Sequence, residues 1–600
     1  MNRKNLTAAV LAGLAGAAGI VSTATAGHDE VFINPDGLGE VLLYPYYTVN
    51  NGNLTVLSVV NTTDHAKAVK VRFKEGENSR EVLDFNLYLS RWDVWTAAII
   101  NDNGTPTLIV PDNSCTVPYL YEQDSDGDGA GEQAFLDFAY TGEEDDGGRQ
   151  DIARAMEGHF EIIEMGEVFD DPEFIGAAFG GNVGEAHDNK ARYEDRAYGS
   201  ETAATHVDVD GVQAPLDCQQ LVDQWSILSG VSGLWIKDSS HDMKDLTGGI
   251  FGSTSVVNVG KGTLYPYDAT ALGDFHDHGD LHVRPGNSFP SLNDGDLWSA
   301  NVFFGSGGSV ETLDYLRGID AVSAVFMHDQ IMNEYVLGGI AAAESEWVIT
   351  FPTKAWYVDP DLLEVDIEDG KYVNDGPCPY NNDHDDDPLT PNLIGEWVVN
   401  PALADGGLLG SVGDFDDLAK PPHCDVETAD LFFATDPFTS VFDGEACELA
   451  GFRIFDYNEN AFFSSTRDDL PIVSPPPPDI DLPPGAVFEL CYETSVLNFG
   501  DSDIFSSRNT HTVNEPADGG WAAIDFGIKA DTDKDKVVDT PIHILFDALG
   551  RDNLVGLPAN GFWADQFTNG DVGGLLANYG GLFNHKGSTL GCSGDCFSSE

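Results

Sequence analysis

The residues best spaced for chemistry are Asp124-Ser-Asp126-Gly-Asp128-Gly129. Carboxylates at the first, third and fifth positions, followed by Gly, reproduce the front half of a calcium loop. Alternate side chains curl around one hard cation, and the Gly permits the sharp turn. The twelfth position holds Phe135 where a bidentate Glu is usual, so Glu132 or Asp137 is the expected substitute. A second loop, Asp531-Thr-Asp533-Lys-Asp535-Lys536, repeats the spacing and adds Asp539 at the ninth position. Lys536 replaces the Gly and Ile542 stands at the twelfth position, which makes this loop the weaker copy. Calcium is therefore the expected cofactor, held by Asp124, Asp126, Asp128 and Glu132 and by Asp531, Asp533, Asp535 and Asp539. A third acidic run, Asn381 to Asp387, is cut off by Pro388 and reads as a solvated loop.

Histidines are dense in one place, Asp274-Phe-His276-Asp277-His278-Gly-Asp280-Leu-His282. On an extended segment His276 and His278 project to one side, and His282 could return to them. Zinc, copper or nickel accept such nitrogens, but a local cluster with no distant third ligand also reads as an ordinary polar loop. The signatures HExxH, GxSxG and GxxxxGK[ST] are missing. With 101 acidic residues any fold places some carboxylate pairs at glycosidase spacing, so such pairs decide nothing. Trp92 and Trp95 are three apart, which puts their rings on opposite faces of a strand and offers no sugar-stacking platform.

The elements that must position these groups are strands. Asn53 to Ile100 reads as a β-meander of β-branched and aromatic runs punctuated by Asn, Asp and Gly. A charged turn, Lys74 to Asn78, joins two of its strands. Later strands are expected at His159–Met165, Gly248–Val259, Ala321–Phe326, Ser345–Val358, Leu449–Phe463, Val487–Phe499, Trp521–Ile528 and Gly561–Phe567. Strand after strand with little helical periodicity selects an all-β chain over α/β. The expected architecture is two β-sandwich-like domains with long acidic loop insertions and disulfides. The first spans 27–270, an irregular connector spans 271–318, and the second spans 319–600 with a polyproline loop near 475–484.

Composition bounds the setting. Lys and Arg number 29 against 101 Asp and Glu, for a formal charge of −72. Nucleic acid is excluded as a partner because phosphate binding needs the opposite field. Hydrophobic residues make up 42%, enough apolar surface to fold rather than stay disordered. Residues 1–26 read as a signal peptide: Arg3-Lys4, an apolar run from Leu6 to Val21, and the small-residue site Ala24-Thr-Ala26. No other segment approaches the roughly 18–20 apolar residues of a membrane helix, and irregular strand spacing argues against a membrane barrel. Eight cysteines in an exported chain predict disulfides. Spacing does not fix the pairing; sequence neighbours suggest Cys115–Cys218, Cys378–Cys424, Cys447–Cys491 and Cys592–Cys596.

The stretches NPDGLGEVLLYPYYTV, WVITFPTKAWYVD and LLANYGGLFNHKG resemble a family of exported Gram-negative bacterial proteins. The resemblance covers most of the mature chain outside the acidic insertions. Its motifs are core strands, so it implies one compact all-β architecture and brings no catalytic residue with it. Together these readings predict a calcium-stabilised structural or adhesive protein, secreted, at the cell surface or in the periplasm. Cell-surface glycan or a second copy is the expected partner, with no integral membrane insertion. The alternative is a secreted, calcium-containing hydrolase acting on a polymer such as polysaccharide.

Overall fold

The computed structural model describes residues 30–168, 204–363, 366–373, 437–462, 486–530 and 540–593, except for 126, 128, 205, 210–211, 216, 226, 229–230, 234, 237, 242, 306–307, 340–341, 369–370, 514–516, 549–551 and 573–574. These residues form mostly β-strands in several sheets, with few and short helices. The two sequence-neighbour pairs Cys115–Cys218 and Cys447–Cys491 are disulfides. The expected pairs Cys378–Cys424 and Cys592–Cys596 include residues outside those described.

The meander folds into two facing sheets. Lys67–Glu75 pairs with both Glu81–Leu89 and Glu157–Val168 in an eight-stranded sheet. Asn53–Asn61 pairs with Val94–Asp102 and Ile250–Asn258 in a six-stranded one. Because side chains alternate across a strand, each sheet turns one set inward. Val69, Val71, Phe73, Phe85 and Phe160 meet Leu57, Val59, Trp95 and Ile99 in one buried core. The opposite set on the eight-stranded sheet is Lys70, Arg72, Lys74, Asp84 and Glu161.

The later part of the chain builds a second pair of sheets. Ala343–Thr350 lies between Thr494–Phe499 and Asn560–Val572, and one face of that sheet, with Trp347, Ile349, Leu497 and Trp563, is buried against Ile331, Ile454 and Ile524. Its other face, with Val348, Val496 and Phe562, joins the core of the meander through Tyr46, Tyr267 and Phe505. In turn Val41, Leu43 and Ile163, from the back of the eight-stranded sheet, share a core with Trp347 and Ile349. The segment expected as a connector, 271–318, places Phe275, Leu292, Ala300 and Val302 in that same core.

Two expected strands are corrected. Gly318–Phe326 is an α-helix, where Ala321–Phe326 was expected to be extended. A short apolar run does not separate a buried strand from a buried helix. Here Asp320 in the first turn favours the helix end, and its carboxylate is gripped by Arg317 at 2.6 and 2.9 Å. The strand expected over Ser345–Val358 stops at Thr350, and Ala355–Val358 forms a helical turn instead. Pro352 breaks the ladder there, since it has no N–H to donate.

Candidate metal sites

Of the first expected calcium loop, Asp124 and Glu132 lie among the described residues; Asp126 and Asp128 do not. Asp124 folds back over the turn, its two oxygens accepting N–H bonds from Gly127 (2.6 Å) and Gly129 (3.0 Å). Both glycines have positive φ, +82° and +95°, which lets the chain wrap that carboxylate. Glu132 accepts a hydrogen bond from the Ser125 hydroxyl, and its own N–H donates to Gln123 O, closing the neck of the loop. The oxygen-only donor set suits a hard cation. Asp531, Asp533, Asp535 and Asp539 all lie outside the described residues, as does the Asn381–Asp387 run.

The histidine cluster is divided by the fold. His282 is buried and does not return to the other two. Trp225 Nε1–H donates to the Tyr88 hydroxyl (3.0 Å), which donates to His282 Nε2 (2.9 Å), and His282 Nδ1–H donates to Ser239 O (2.7 Å). Both ring nitrogens are thus committed, and the ring packs against Trp225 and Trp235. Burial pushes its pKa down to about 4, so it stays neutral as a core residue. His276 and His278 instead meet Asp296, a residue the local sequence pattern did not single out. His278 Nδ1 lies 2.8 Å from Asp296 Oδ2, and His276 Nδ1 lies 3.4 Å from Asp296 Oδ1. The bond to Asp296 holds the exposed His278 imidazole above its ordinary pKa. Among the described residues, the group of possible ligands whose atoms all lie within 4.8 Å of one another is Glu445, Cys447 and Cys491. Its two sulfurs are joined in the disulfide, which leaves no thiolate to bind a metal.

The structure shows a larger role for acids than the sequence reading foresaw. Glutamates on buried strands clamp loops through backbone N–H groups. Glu346 accepts from Ile504 N (2.8 Å) and Phe505 N (3.0 Å). Glu164 accepts from Thr247 N, Gly248 N and the Lys67 ammonium at 2.6 Å. Glu157 accepts from Arg508 N (2.6 Å) and Tyr46 OH (3.0 Å), and Glu448 accepts from Thr439 N and Ser440 N. Burial pushes the Glu346 carboxyl up to about 8, against the opposing pull of its two N–H donors.

The charged turn Lys74–Asn78 is buried rather than solvated. Glu75 accepts N–H bonds from Glu77, Asn78 and Arg80, and its carboxylate is forked by Arg154 at 2.8 and 3.0 Å. Arg154 grips Asp146 as well (2.6 and 2.8 Å), and its guanidinium lies 4.5 Å from the Tyr140 ring centre. Burial opposes the charge on Arg154, but Glu75 and Asp146 outweigh it and hold the pKa above its ordinary value. On the other face of that strand Lys70 pairs with Asp84 (2.6 Å), and Arg72 with Glu81 (2.7 Å) and Glu161 (3.2 Å). Alternation along Lys67–Glu75 could have flagged these charges as one face, but not that the segment carrying Arg284 O and Pro290 O covers it.

Of the two tryptophans, Trp95 is fully buried beside Phe85 (5.7 Å between ring centres), whereas Trp92 is 60% exposed. Among the described residues no helix is long and apolar enough to cross a membrane. No protein family, curated protein or solved structure compared with this chain matches it.

Proposed function

We propose that the chain is an exported, calcium-stabilised structural or adhesive protein of the cell surface or extracellular matrix. The observation that carries this reading is where the buried acids go. Glu40, Glu75, Glu157, Glu164, Glu346 and Glu448 are each buried and each satisfies loop N–H groups. Carboxylates spent in this way fix loops onto strands and leave none of their oxygens presented to a polymer in solution. Two disulfides, closing loops across 103 and 44 residues, suit an oxidising compartment outside the cytosol. Calcium at Asp124 and its neighbours would neutralise carboxylates that otherwise repel, and would bind the folded loop in preference to the open chain.

The test is thermal unfolding in millimolar calcium against sodium chloride of equal ionic strength. A ligand at about 100 times its dissociation constant adds roughly 2.7 kcal/mol per site, and monovalent salt reproduces only screening. Asp124→Asn with Asp126→Asn should remove one increment, and Asp531→Asn with Asp533→Asn another. Cell fractionation with and without chelator then asks whether the surface-bound protein begins at Gly27 and is released when calcium is withdrawn. Identical melting in calcium and sodium chloride overturns the calcium reading. Release of reducing sugar from polysaccharide by the pure protein would favour the hydrolase instead.

A further inference from the structure

We propose that His276, His278 and Asp296 form a binding site for a divalent transition-metal ion of the zinc class. The argument begins with the proton on His276. Its Nε2 lies 2.9 Å from the backbone carbonyl oxygen of His278. A carbonyl can only accept, so Nε2 carries the hydrogen, and the neutral ring keeps its lone pair on Nδ1. That Nδ1 is buried, makes no hydrogen bond, and faces a carboxylate oxygen of Asp296 at 3.4 Å. Lone pair against lone pair is repulsive. The arrangement is stable only with positive charge between them, either a second proton on the ring or a metal ion.

The surroundings favour the metal. A ligating histidine ordinarily donates its other ring N–H to a carbonyl or carboxylate, which fixes the tautomer and aims the free nitrogen. His276 has that arrangement. Asp296 is also held from behind, accepting N–H bonds from Asp277 (2.8 Å) on Oδ1 and His278 (3.1 Å) on Oδ2. A ligand carboxylate oriented by hydrogen bonds is the matching outer-shell feature. His276 itself is 9% exposed, and its backbone N–H, with that of Phe275, is clamped by Glu40. Two of the three groups are therefore rigid before any ion arrives.

The third group completes the site by moving. His278 has a side chain 80% exposed and now rests on the other oxygen of Asp296, so it can turn toward an ion lying against His276 without disturbing the core. Asp245 and Asp277 add negative charge nearby, and Asp245 anchors the turn through Gly279 N at 3.1 Å. Two imidazole nitrogens and a carboxylate oxygen are a borderline-soft set. They suit zinc, cobalt, nickel or copper and not calcium or magnesium, which take oxygen alone. The site thus has a different ligand chemistry from the acidic loops and stands or falls independently of them.

The experiment titrates cobalt(II) into the full chain with calcium in excess, so that oxygen-only loops are already filled. The wild type should take up one equivalent with visible bands of nitrogen-ligated cobalt, and zinc should displace it. His276→Gln, His278→Ala and Asp296→Asn should each weaken that equivalent about tenfold or more, while His65→Ala, a partly exposed histidine elsewhere, should leave it unchanged. If the first or third variant loses its fold, His278→Ala decides, because its side chain lies in solvent. No nitrogen-ligated band in the wild type, or an affinity in His278→Ala within twofold of wild type, overturns the site.

Discussion

Replacing Arg154 by Leu gives the sharpest test of how the buried acids are held. The side chain is fully buried, donates four hydrogen bonds of 2.6–3.0 Å to Glu75 and Asp146, and covers the Tyr140 ring. Leu fills part of the volume but leaves both carboxylates without their countercharge. Removing one partner of a buried ion pair typically costs about 3–5 kcal/mol, because an uncompensated charge stays behind. Glu75 retains three backbone N–H donors, which argues for the lower half of that range. Asp146 is held below its ordinary pKa because Arg154 outweighs the effect of burial. In the wild type that contribution is present above the unfolded value of about 3.8 and is lost as pH falls through the folded one. The variant should therefore lose stability most at neutral pH and approach the wild type in acid. Urea unfolding at pH 7 and at about pH 2, below the unfolded carboxylate value, measures both. Adding Glu75→Gln to Arg154→Leu should restore at least about 1 kcal/mol, since neighbours in one network do not add. If Arg154→Leu costs under about 1 kcal/mol at pH 7, or costs the same at both pH values, the carboxylates are not buried against it as described.

Glu493 tests the opposite sign. Burial pushes its carboxyl up to about 8 from 4.5, so the folded chain loses stability as pH rises through that window. Glu493→Gln should remove this loss, gaining on the wild type by up to about 1.4 kcal/mol per pH unit between pH 5 and 8; parallel unfolding curves would refute it. Opening the disulfides by Cys→Ser pairs should cost about 5 kcal/mol for Cys115–Cys218 and about 4 kcal/mol for Cys447–Cys491, from the loop lengths they close. Unfolding midpoints measure this, and a larger loss for the shorter loop would show that chain entropy is not the controlling term.

Strand alternation is local, and so the sequence by itself determined that the described residues are mostly β and where the meander and several later strands run. Val69, Val71 and Phe73 set against Lys70, Arg72 and Lys74 mark two faces of one strand whatever lies beyond it. Cysteine order likewise pointed to Cys115–Cys218 and Cys447–Cys491. Local pattern could not say what covers a face. A face of lysine and arginine reads as solvated, yet Glu161, Asp84 and a backbone segment near 284–290 bury it. The same limit applied to the histidines: periodicity grouped His282 with His276 and His278, because spacing along the chain was the only distance available. Folding sent His282 into a tryptophan cage and brought Asp296, eighteen residues beyond His278, to within 2.8 Å. Side-chain types and their local order are written in the chain; countercharges and third ligands come from segments far along it, and only tertiary packing decides which ones arrive.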